Sequence, residues 1–308
     1  TMKKTYIIAE IGINHQGDIN IAKKLIDIAA VSGCDAVKFQ KRNPDVCVPE
    51  DQKTKPRSWG GVNMTYLEYK YKVEFGKKEY DETPWGEMSY LEYKHRLEFG
   101  TKEYDEINRY CKEKGIAWSA SPWDLDSVDF LEQYNLPFIK LPSAMMTNDP
   151  LLIECVKRFN KVIFSTGMST QEEINHAVEL MRNAKLTFKR NEPIGLLHCN
   201  SSYPAPINEL NLSAIKTLAE KYPDFEIGYS GHEMLLGTTV ASVLLGASII
   251  ERHITLDRTM EGSDHACSVT PHGLFKMVSG IRELEKAYGT GVIEVTETEK
   301  SVRKKLRG

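Results

Sequence analysis

Short runs of apolar residues alternate with longer amphipathic stretches along most of the chain. Eight runs predict β-strands, over Tyr6–Ile11, Ala36–Phe39, Ile116–Ala120, Phe138–Leu141, Val162–Ser165, Ile194–His198, Glu226–Tyr229 and Ile249–His253. The stretches between them have helical spacing and predict helices over Ile21–Ser32, Thr101–Lys114, Pro150–Phe159, Thr170–Ala184, Leu212–Lys221, Leu236–Leu245 and Pro271–Tyr288. Nearly continuous apolar strands that alternate with helices are typical of a parallel sheet covered by helices.

Eight strand–helix units predict an α/β protein built as a closed (β/α)₈ TIM barrel. A doubly wound open sheet is the alternative, because the number of strands does not show whether the sheet closes. No Gly-x-Gly-x-x-Gly motif follows the first strand, which argues against a dinucleotide-binding fold. We expect the barrel to occupy residues 1–290 and residues 291–308 to form a C-terminal tail.

An insertion at about residues 42–101 interrupts the alternation of strands and helices between the second and third strands. It contains an internal duplication, in which MTYLEYKYKVEFGKKEYDE from Met64 recurs as MSYLEYKHRLEFGTKEYDE from Met88. Two copies are too few for a solenoid. The duplicated segment is predicted to be either a helical loop packed on the rim of the barrel or a lid or oligomer contact with exposed aromatic residues.

Composition indicates where the protein is located and which partners are not expected. The 308 residues include 43 acidic and 40 basic side chains, a net charge of −3 that gives no general reason to expect nucleic acid or an anionic membrane as partner. The six cysteines contain no Cys-x-x-Cys pair, which is typical of a reducing, cytoplasmic compartment. No apolar run is long enough to span a membrane, and we expect no signal peptide.

Polar residues recur where the predicted strands end. They are Glu10, Lys38, Gln40, Ser121, Lys140, Ser143, His198, Ser201, Tyr203, Ser230, His232, Glu251 and His253. The C-terminal ends of barrel strands converge on one face, where the active sites of TIM barrels are built. The sequence therefore predicts one polar site at this face.

Two kinds of chemistry are predicted for that site. A lone histidine is more often structural than a ligand, but His232 and His253 end adjacent strands, which favours a divalent metal with positions left open for water and substrate. Manganese, iron, cobalt and zinc all suit imidazole ligands. His198 is either a third ligand or a buried structural residue.

The lysines and serines indicate a cradle for phosphate and carboxylate groups, with a Schiff-base lysine as the competing role. The residues concerned are Lys38, Lys140, Ser121, Ser143, Ser201 and Ser230. Glu10 is predicted to perform acid–base catalysis. Glu251 is predicted either to do the same or to support His253. For both glutamates the structural alternative is an ion pair with a neighbour such as Arg252 or a lysine.

At these residues the chain resembles the sialic acid synthase family, from about Tyr6 to Tyr288 without the insertion. The motifs that carry the resemblance are Ile8–Gly12 with Asn14-His15, Val37–Gln40, Ser121–Trp123, Ser165–Met168, His198–Pro204, Gly228–His232 and Glu251–Thr255, followed by Asp264 and Ser268. The resemblance covers the catalytic barrel, without the C-terminal antifreeze-like domain that many members append. It implies a TIM-barrel homodimer that uses a divalent metal, manganese before magnesium or cobalt.

The resemblance also implies a reaction, in which phosphoenolpyruvate condenses with a sugar aldehyde to give a nonulosonate and phosphate. His232 and His253 would hold the metal, and Glu10 would handle a proton. Phosphoenolpyruvate would be bound by Lys38, Ser121, Lys140, Ser143, Ser201 and Ser230, and the acceptor sugar by Gln40, Tyr203 and Asp264. The alternatives are a 3-deoxy-octulosonate or heptulosonate type synthase with a phosphorylated shorter aldose, an imine-forming lyase, and a barrel that has become a scaffold.

Three positions depart from the family pattern. Met145 stands where many relatives have a glutamate that touches the acceptor, Gly231 where an aspartate is common, and Ser201 where some have an asparagine. Loss of a carboxylate at the acceptor end would change recognition of hydroxyl or acetamido groups. The resemblance therefore leaves the identity of the sugar open.

Overall fold

Eight parallel strands form a nearly closed barrel in this computed structural model, which describes residues 2–55 and 88–308. The strands are β1 (Tyr6–Gly12), β2 (Ala36–Lys41), β3 (Ala117–Pro122), β4 (Ile139–Leu141), β5 (Val162–Ser165), β6 (Gly195–Cys199), β7 (Glu226–Gly231) and β8 (Ile249–His253). Their hydrogen-bonded order is β3-β2-β1-β8-β7-β6-β5-β4. At the seam between β3 and β4, the Ser119 hydroxyl donates to the Phe138 carbonyl. The predicted TIM barrel is confirmed, and the open doubly wound alternative is wrong.

Helices follow the strands around the outside of the barrel. In the described ranges they are α1 (Ile19–Ser32), α2 (Pro44–Cys47), α3 (Glu50–Lys53), α4 (Tyr90–Leu97), α5 (Thr101–Lys114), α6 (Leu125–Glu132), α7 (Asp149–Arg158), α8 (Gln171–Thr187), α9 (Ala214–Lys221), α10 (Gly237–Leu244), α11 (Pro271–Ala287) and α12 (Glu297–Arg307). Three 3₁₀ turns span Ser143–Met145, Ile207–Glu209 and His265–Cys267. Side-chain caps begin several helices, since Asp18, Asp124 and Thr170 each accept a backbone N–H of the first turn.

The sequence pattern missed two helices, α6 and α12. Helix α6 has only eight residues, so it offers little helical periodicity, and the Asp124 cap is its clearest signal. Helix α12 lies in the segment expected to be a tail. Its residues are exposed, so no apolar stripe marks it, but a capping box joins Thr296 to Glu299 and an ion pair joins Lys300 to Glu297.

The inside of the barrel is layered. An apolar floor consists of Ile8, Ala36, Phe138, Ile163, Leu197 and Ile249. The next inward-pointing residues toward the C-terminal ends of the strands are charged and include Glu10, Lys38, Lys140 and Glu251, each at most 5% exposed. Charges that are placed on an apolar floor lose most of their hydration, so each requires a partner within the barrel.

The second copy of the duplication packs on the rim of the barrel. It forms α4 and the first turns of α5, and a capping box between Ser89 and Glu92 begins α4. Tyr93 and Leu97 pack against Ile13 of the loop that follows β1. At Gly17 in the same loop, a β-carbon would lie 2.1 Å from the carbonyl oxygen of Arg96, so only glycine allows this approach. The first copy, residues 64–82, lies outside the described residues, and the lid role assigned to it stays a prediction.

No helix within the described residues is long and apolar enough to cross a membrane.

A buried ion pair joins β8 to the loop that follows β7. The side chains of Arg252 and Glu233 are both fully buried, and Arg252 Nη1 lies 3.3 Å from Glu233 Oε1. Arg252 also donates to Thr239 Oγ1 at 2.6 Å, and Tyr229 donates to Glu233 Oε2 at 3.0 Å. Arg252 therefore points outward and pairs with Glu233, so of the two ion pairs considered for Glu251 the one with Arg252 does not form.

We expect Arg252→Met to destabilise the protein by roughly 3–5 kcal/mol, because it leaves the Glu233 carboxylate buried without its cation. Thermal and chemical unfolding of the variant measure this loss. Arg109→Met is the matched control, since Arg109 pairs with Glu106 and Glu113 at the surface and its loss should change the melting temperature little. Equal melting temperatures for Arg252→Met and the wild type would contradict this account of the pair.

Candidate active site

Strand register brings four charged side chains together at the C-terminal end of the barrel. Glu10 on β1 is the register partner of Lys38 on β2, and Ser230 on β7 is the partner of Glu251 on β8. Residues in register on adjacent strands point to the same face of the sheet. Lys140 reaches the group from β4, on the other side of the barrel.

Glu251 and Lys38 lie at the centre of this group. Lys38 Nζ is 2.7 Å from Glu10 Oε2, 2.7 Å from Ser121 Oγ and 3.6 Å from Glu251 Oε2. Lys140 Nζ is 2.9 Å from Glu251 Oε1, which also accepts a hydrogen bond from Ser230 Oγ at 2.8 Å. Two cations and two anions are thus connected before any substrate binds.

The two carboxylates have opposite electrostatic environments. Burial raises the pKa of Glu10 from 4.5 to about 7, and the attraction of Lys38 only partly offsets that rise. Burial also acts on Glu251, but Lys140 and Lys38 together hold the pKa of that carboxyl well below its usual range. Glu10 can therefore exchange a proton near neutral pH, whereas Glu251 stays ionised.

The structure does not support a role for Glu251 in orienting His253. The carboxylate oxygens of Glu251 face Lys140, Lys38 and Ser230. Asp264 takes the place beside His253, with its Oδ2 atom 3.6 Å from His253 Nδ1. The ion pair with a lysine, considered as a structural alternative for Glu251, is confirmed, and it involves lysines from two strands.

His232 and His253 lie side by side at the mouth of the barrel, with ring centroids 5.3 Å apart. His232 Nδ1 is 2.7 Å from the carbonyl oxygen of Asn200, so this nitrogen carries the proton and Nε2 keeps a lone pair. His253 Nδ1 is buried without a hydrogen-bond partner. Burial lowers the pKa of His253 to about 3, so its ring is neutral.

These two imidazoles fit a divalent cation that takes its other ligands from water or substrate. In each ring Nδ1 faces an oxygen, the Asn200 carbonyl for His232 and the Asp264 carboxylate for His253, and the other nitrogen is a donor available to a metal. Within residues 2–55 and 88–308, no group of three or more His, Cys, Asp or Glu side chains is arranged to hold a metal. His198 is not a third ligand in this arrangement, because its Nε2 lies 2.7 Å from the carbonyl oxygen of Leu210.

Two serine hydroxyls lie beside the backbone of Gly167, next to these charges. Ser143 Oγ accepts a hydrogen bond from the backbone N–H of Gly167 at 3.1 Å. A β-carbon at Gly167 would lie 2.0 Å from Ser201 Oγ and 2.7 Å from Ser143 Oγ, so glycine allows both hydroxyls to approach the backbone. Two hydroxyls and the nearby Lys140 form a cradle for a phosphate group.

A cavity of about 180 Å³ connects the charges, the hydroxyls and the histidines. Twelve of the predicted residues line it, namely Glu10, Lys38, Gln40, Ser121, Lys140, Ser143, Ser201, Tyr203, Ser230, His232, Glu251 and His253. Asp264 is the predicted site residue that does not line it, since it faces His253 and Gly12 instead. Tyr203 is 41% exposed and its ring lies 4.1 Å from that of His232.

Sequence reasoning missed other residues that line the cavity. They are Trp123, Pro142, Ala144, Met168 and Cys199. Cys199 could have been found from strand alternation, because it points inward when His198 points toward Leu210. Trp123 and Met168 belong to the loops after their strands, where no periodicity indicates direction.

The structure shows what surrounds Met145 and Gly231, two of the residues that depart from the family pattern. Met145 packs against the hydrophobic core beside the 3₁₀ turn after β4, and Ala144 lines the cavity in its place. A β-carbon at Gly231 would lie 2.6 Å from Glu233 Oε2 and 3.0 Å from Arg252 Cδ. The buried pair of Glu233 and Arg252 thus fills the space that a side chain at position 231 would need.

Comparisons with known proteins agree on one family. Residues 25–293 match the sequence model of the NeuB family. The N,N'-diacetyllegionaminic acid synthase of Campylobacter jejuni is 39% identical over 99% of this chain and 85% of its own length. The N-acetylneuraminate-9-phosphate synthase of Homo sapiens is 35% identical over 98% of this chain and 76% of its own. The crystal structure of the N-acetylneuraminic acid synthetase of Leptospira borgpetersenii, in complex with citrate, gives a TM-score of 0.74 at 31% identity and covers 99% of this chain and 93% of that one.

The pKa of Glu10 predicts how stability depends on pH. Because the folded-state pKa is about 7 against an ordinary 4.5, the carboxyl contributes stability that is fully present below pH 4.5 and is lost as the pH rises through 7. Glu10→Gln is always neutral, so its melting temperature should rise relative to the wild type between pH 5 and pH 8, by roughly 2–4 °C. Thermal melts of both proteins across this range measure the difference.

Glu251→Gln is the control for this measurement. Since the pKa of Glu251 lies below its ordinary value, its charge stabilises the fold above about pH 4.5, and the variant should melt below the wild type at both pH 6 and pH 8. If the melting temperatures of Glu10→Gln and the wild type differed by the same amount at every pH from 5 to 8, Glu10 would be ionised throughout this range.

Proposed function

This chain belongs to the NeuB family, and from that premise we propose that its barrel condenses phosphoenolpyruvate with the aldehyde of an N-acetylmannosamine-like hexose, releasing phosphate and a nonulosonate. The observation that carries the proposal is the cavity in which Lys38, Lys140 and serine hydroxyls face the imidazole rings of His232 and His253. An anionic substrate and a carbonyl substrate can therefore meet in one enclosed space. The reaction joins three carbons to six, which gives the nine-carbon product.

Phosphoenolpyruvate has a phosphate and a carboxylate, and the cavity offers groups for both. We assign the phosphate to the Ser143 and Ser201 hydroxyls, with Lys140 beside them, and the Gly167 N–H holds Ser143 Oγ in place. We assign the carboxylate to Lys38 and Ser121. Glu251 keeps both ammonium groups in place by its ion pairs, so the cradle exists before binding and need not be assembled by the substrate.

The acceptor enters from the histidine side of the cavity. A divalent metal, for which manganese is our first candidate and magnesium or cobalt the alternatives, would be held by His232 and His253 and would polarise the aldehyde carbonyl as a Lewis acid. Tyr203 packs on His232 and Gln40 lies beside Glu10, so both can contact hydroxyl groups of the sugar. Asp264 acts through His253 rather than on the sugar.

The chemistry requires one proton donor or acceptor beside the reacting carbons. C3 of phosphoenolpyruvate forms the new bond to the aldehyde carbon, water adds to C2, and the C2–O bond to phosphate breaks. The aldehyde oxygen gains a proton as it becomes a hydroxyl, and the added water loses its protons as C2 becomes a ketone. Glu10 is suited to transfer these protons, because its pKa of about 7 lets it both accept and donate near neutral pH.

The imine-forming alternative is disfavoured by the charges. Burial lowers the pKa of Lys38, but the Glu10 and Glu251 carboxylates outweigh burial and raise it. The amine therefore stays protonated, and a protonated amine is not a nucleophile. The Lys140 nitrogen is occupied by an ion pair with Glu251 at 2.9 Å.

We further propose a cytoplasmic homodimer. All six cysteines are free thiols, as expected in a reducing compartment. The dimer rests on the family resemblance, and light scattering would test it.

The reaction is tested by phosphate release from phosphoenolpyruvate, after the metal is stripped and manganese is restored. The sugars to compare are N-acetylmannosamine, mannose, their 6-phosphates, diacetamido-trideoxyhexoses and arabinose 5-phosphate. We expect release that requires both manganese and one hexose derivative. Release only with arabinose 5-phosphate would identify the octulosonate type of synthase instead.

A pair of histidine variants serves as the control. His253→Ala should lose manganese binding, measured by electron paramagnetic resonance, and at least about 100-fold of the activity. His176→Ala should keep both, because His176 is an exposed residue that pairs with Asp149 on the outer helices. Full manganese binding by His253→Ala would exclude the proposed ligand pair.

A further inference from the structure

A chain of polar contacts leads out of the reaction cavity through Gln40. The Gln40 amide donates from Nε2 to Glu10 Oε1 at 3.2 Å. On the other side, Arg42 Nη2 donates to Gln40 Oε1. Arg42 Nε lies 3.6 Å from Glu98 Oε1, at the end of helix α4. The second copy of the duplicated segment is thereby connected to a residue that lines the cavity.

Arg42 determines which end of the Gln40 amide faces the cavity. A guanidinium group has only donors, so it can be matched by the carbonyl oxygen of the amide and not by its NH₂ group. The NH₂ group must then point the other way, toward Glu10. One of its two hydrogens is used by Glu10, and the second is left for a ligand.

Arg42 is itself held rigidly. It is 7% exposed, and its guanidinium carbon lies 4.3 Å from the centre of the Trp123 ring, which fixes the plane of the group. Glu98 accepts hydrogen bonds from Lys41 Nζ at 3.1 Å and from the Arg42 backbone N–H at 3.3 Å. Arg42 itself does not line the cavity, and it acts on the site only through Gln40 and Trp123, which do.

We propose that Arg42 is a positioning residue that locks the Gln40 amide with its NH₂ group toward the cavity, so that Gln40 recognises the acceptor sugar as a hydrogen-bond donor. This inference rests on the proposed function for the identity of the acceptor. It assigns a role in the site to the inserted helix α4, which supplies Glu98 to hold Arg42. It also requires an oxygen acceptor on the sugar, a hydroxyl or an amide carbonyl, opposite Gln40.

The orientation of the amide is tested without turnover, by NMR of the side-chain amides in protein labelled with ¹⁵N-glutamine. The Gln40 signal is assigned by its loss in Gln40→Glu. In Arg42→Met the amide loses its fixed partner, so we expect the Gln40 signal to shift or broaden. Lys41→Met is the matched control, because Lys41 pairs with the same Glu98 without touching Gln40, and it should leave the signal unchanged.

Steady-state kinetics with N-acetylmannosamine as probe tests the consequence. Arg42→Met should raise the Michaelis constant for the sugar about tenfold, the value of one oriented hydrogen bond, and leave that for phosphoenolpyruvate within about twofold. In a Gln40→Ala background Arg42→Met should add nothing further. Arg42→Lys keeps a donor but not the stacked planar group, so its Michaelis constant for the sugar should lie between those of the wild type and Arg42→Met. This variant replaces Arg42→Met if the latter does not fold.

The inference would be overturned by an unchanged Gln40 signal in Arg42→Met. It would also be overturned if Arg42→Met raised the Michaelis constant for the sugar equally in the wild-type and Gln40→Ala backgrounds. Equal rises of both Michaelis constants would do the same, since they indicate a general structural defect. If the wild type does not turn over N-acetylmannosamine, the proposed acceptor is wrong, whereas the NMR comparison still decides the role of Arg42.

Discussion

The structure depends on one buried carboxylate, that of Glu251, which holds lysines from two distant strands. An ammonium group placed over an apolar floor would be strongly unfavourable by itself, because little of its hydration is replaced. Glu251 supplies the missing charge to Lys140 at 2.9 Å and to Lys38 at 3.6 Å. Lys38 can then serve Glu10 and Ser121 as well. The positive groups that a phosphorylated acid needs are therefore in place before it arrives, and the enzyme need not reorganise to bind it.

The alternation of residues along β8 connects this site to the outer layer of the barrel. Glu251 and His253 point inward, and Arg252 between them points outward to the buried Glu233. The same strand thus contributes the central carboxylate, a candidate metal ligand and an anchor to the surrounding helices. On the other side, the contacts from Glu98 through Arg42 and Gln40 extend the site to an inserted helix. Reactive groups within the barrel are held by contacts that lie outside it.

Much of this could be predicted from the sequence, and the remainder shows where sequence patterns end. Continuous apolar runs revealed all eight strands. Of the polar residues noted at the strand ends, all but His198 line the cavity, because strand ends in a barrel converge on one face. Side-chain direction in the loops could not be predicted, so Asp264 was assigned to the sugar although it faces His253. The sequence offered a lysine as an ion-pair partner of Glu251 but could not say which one, because Lys140 reaches it across the barrel. The helix over Glu297–Arg307 was missed because it buries no residue.

The central claim is that the lysines held by Glu251 form the binding site for phosphoenolpyruvate, and equilibrium binding of that ligand tests it most directly. Calorimetric titration of phosphoenolpyruvate into Lys140→Met should show affinity about 10- to 100-fold below the wild type, because a charge-assisted hydrogen bond is lost. Lys161→Met, which removes an equally paired lysine beside β5 at the opposite end of the barrel, should bind like the wild type. Unchanged affinity in Lys140→Met would contradict the account.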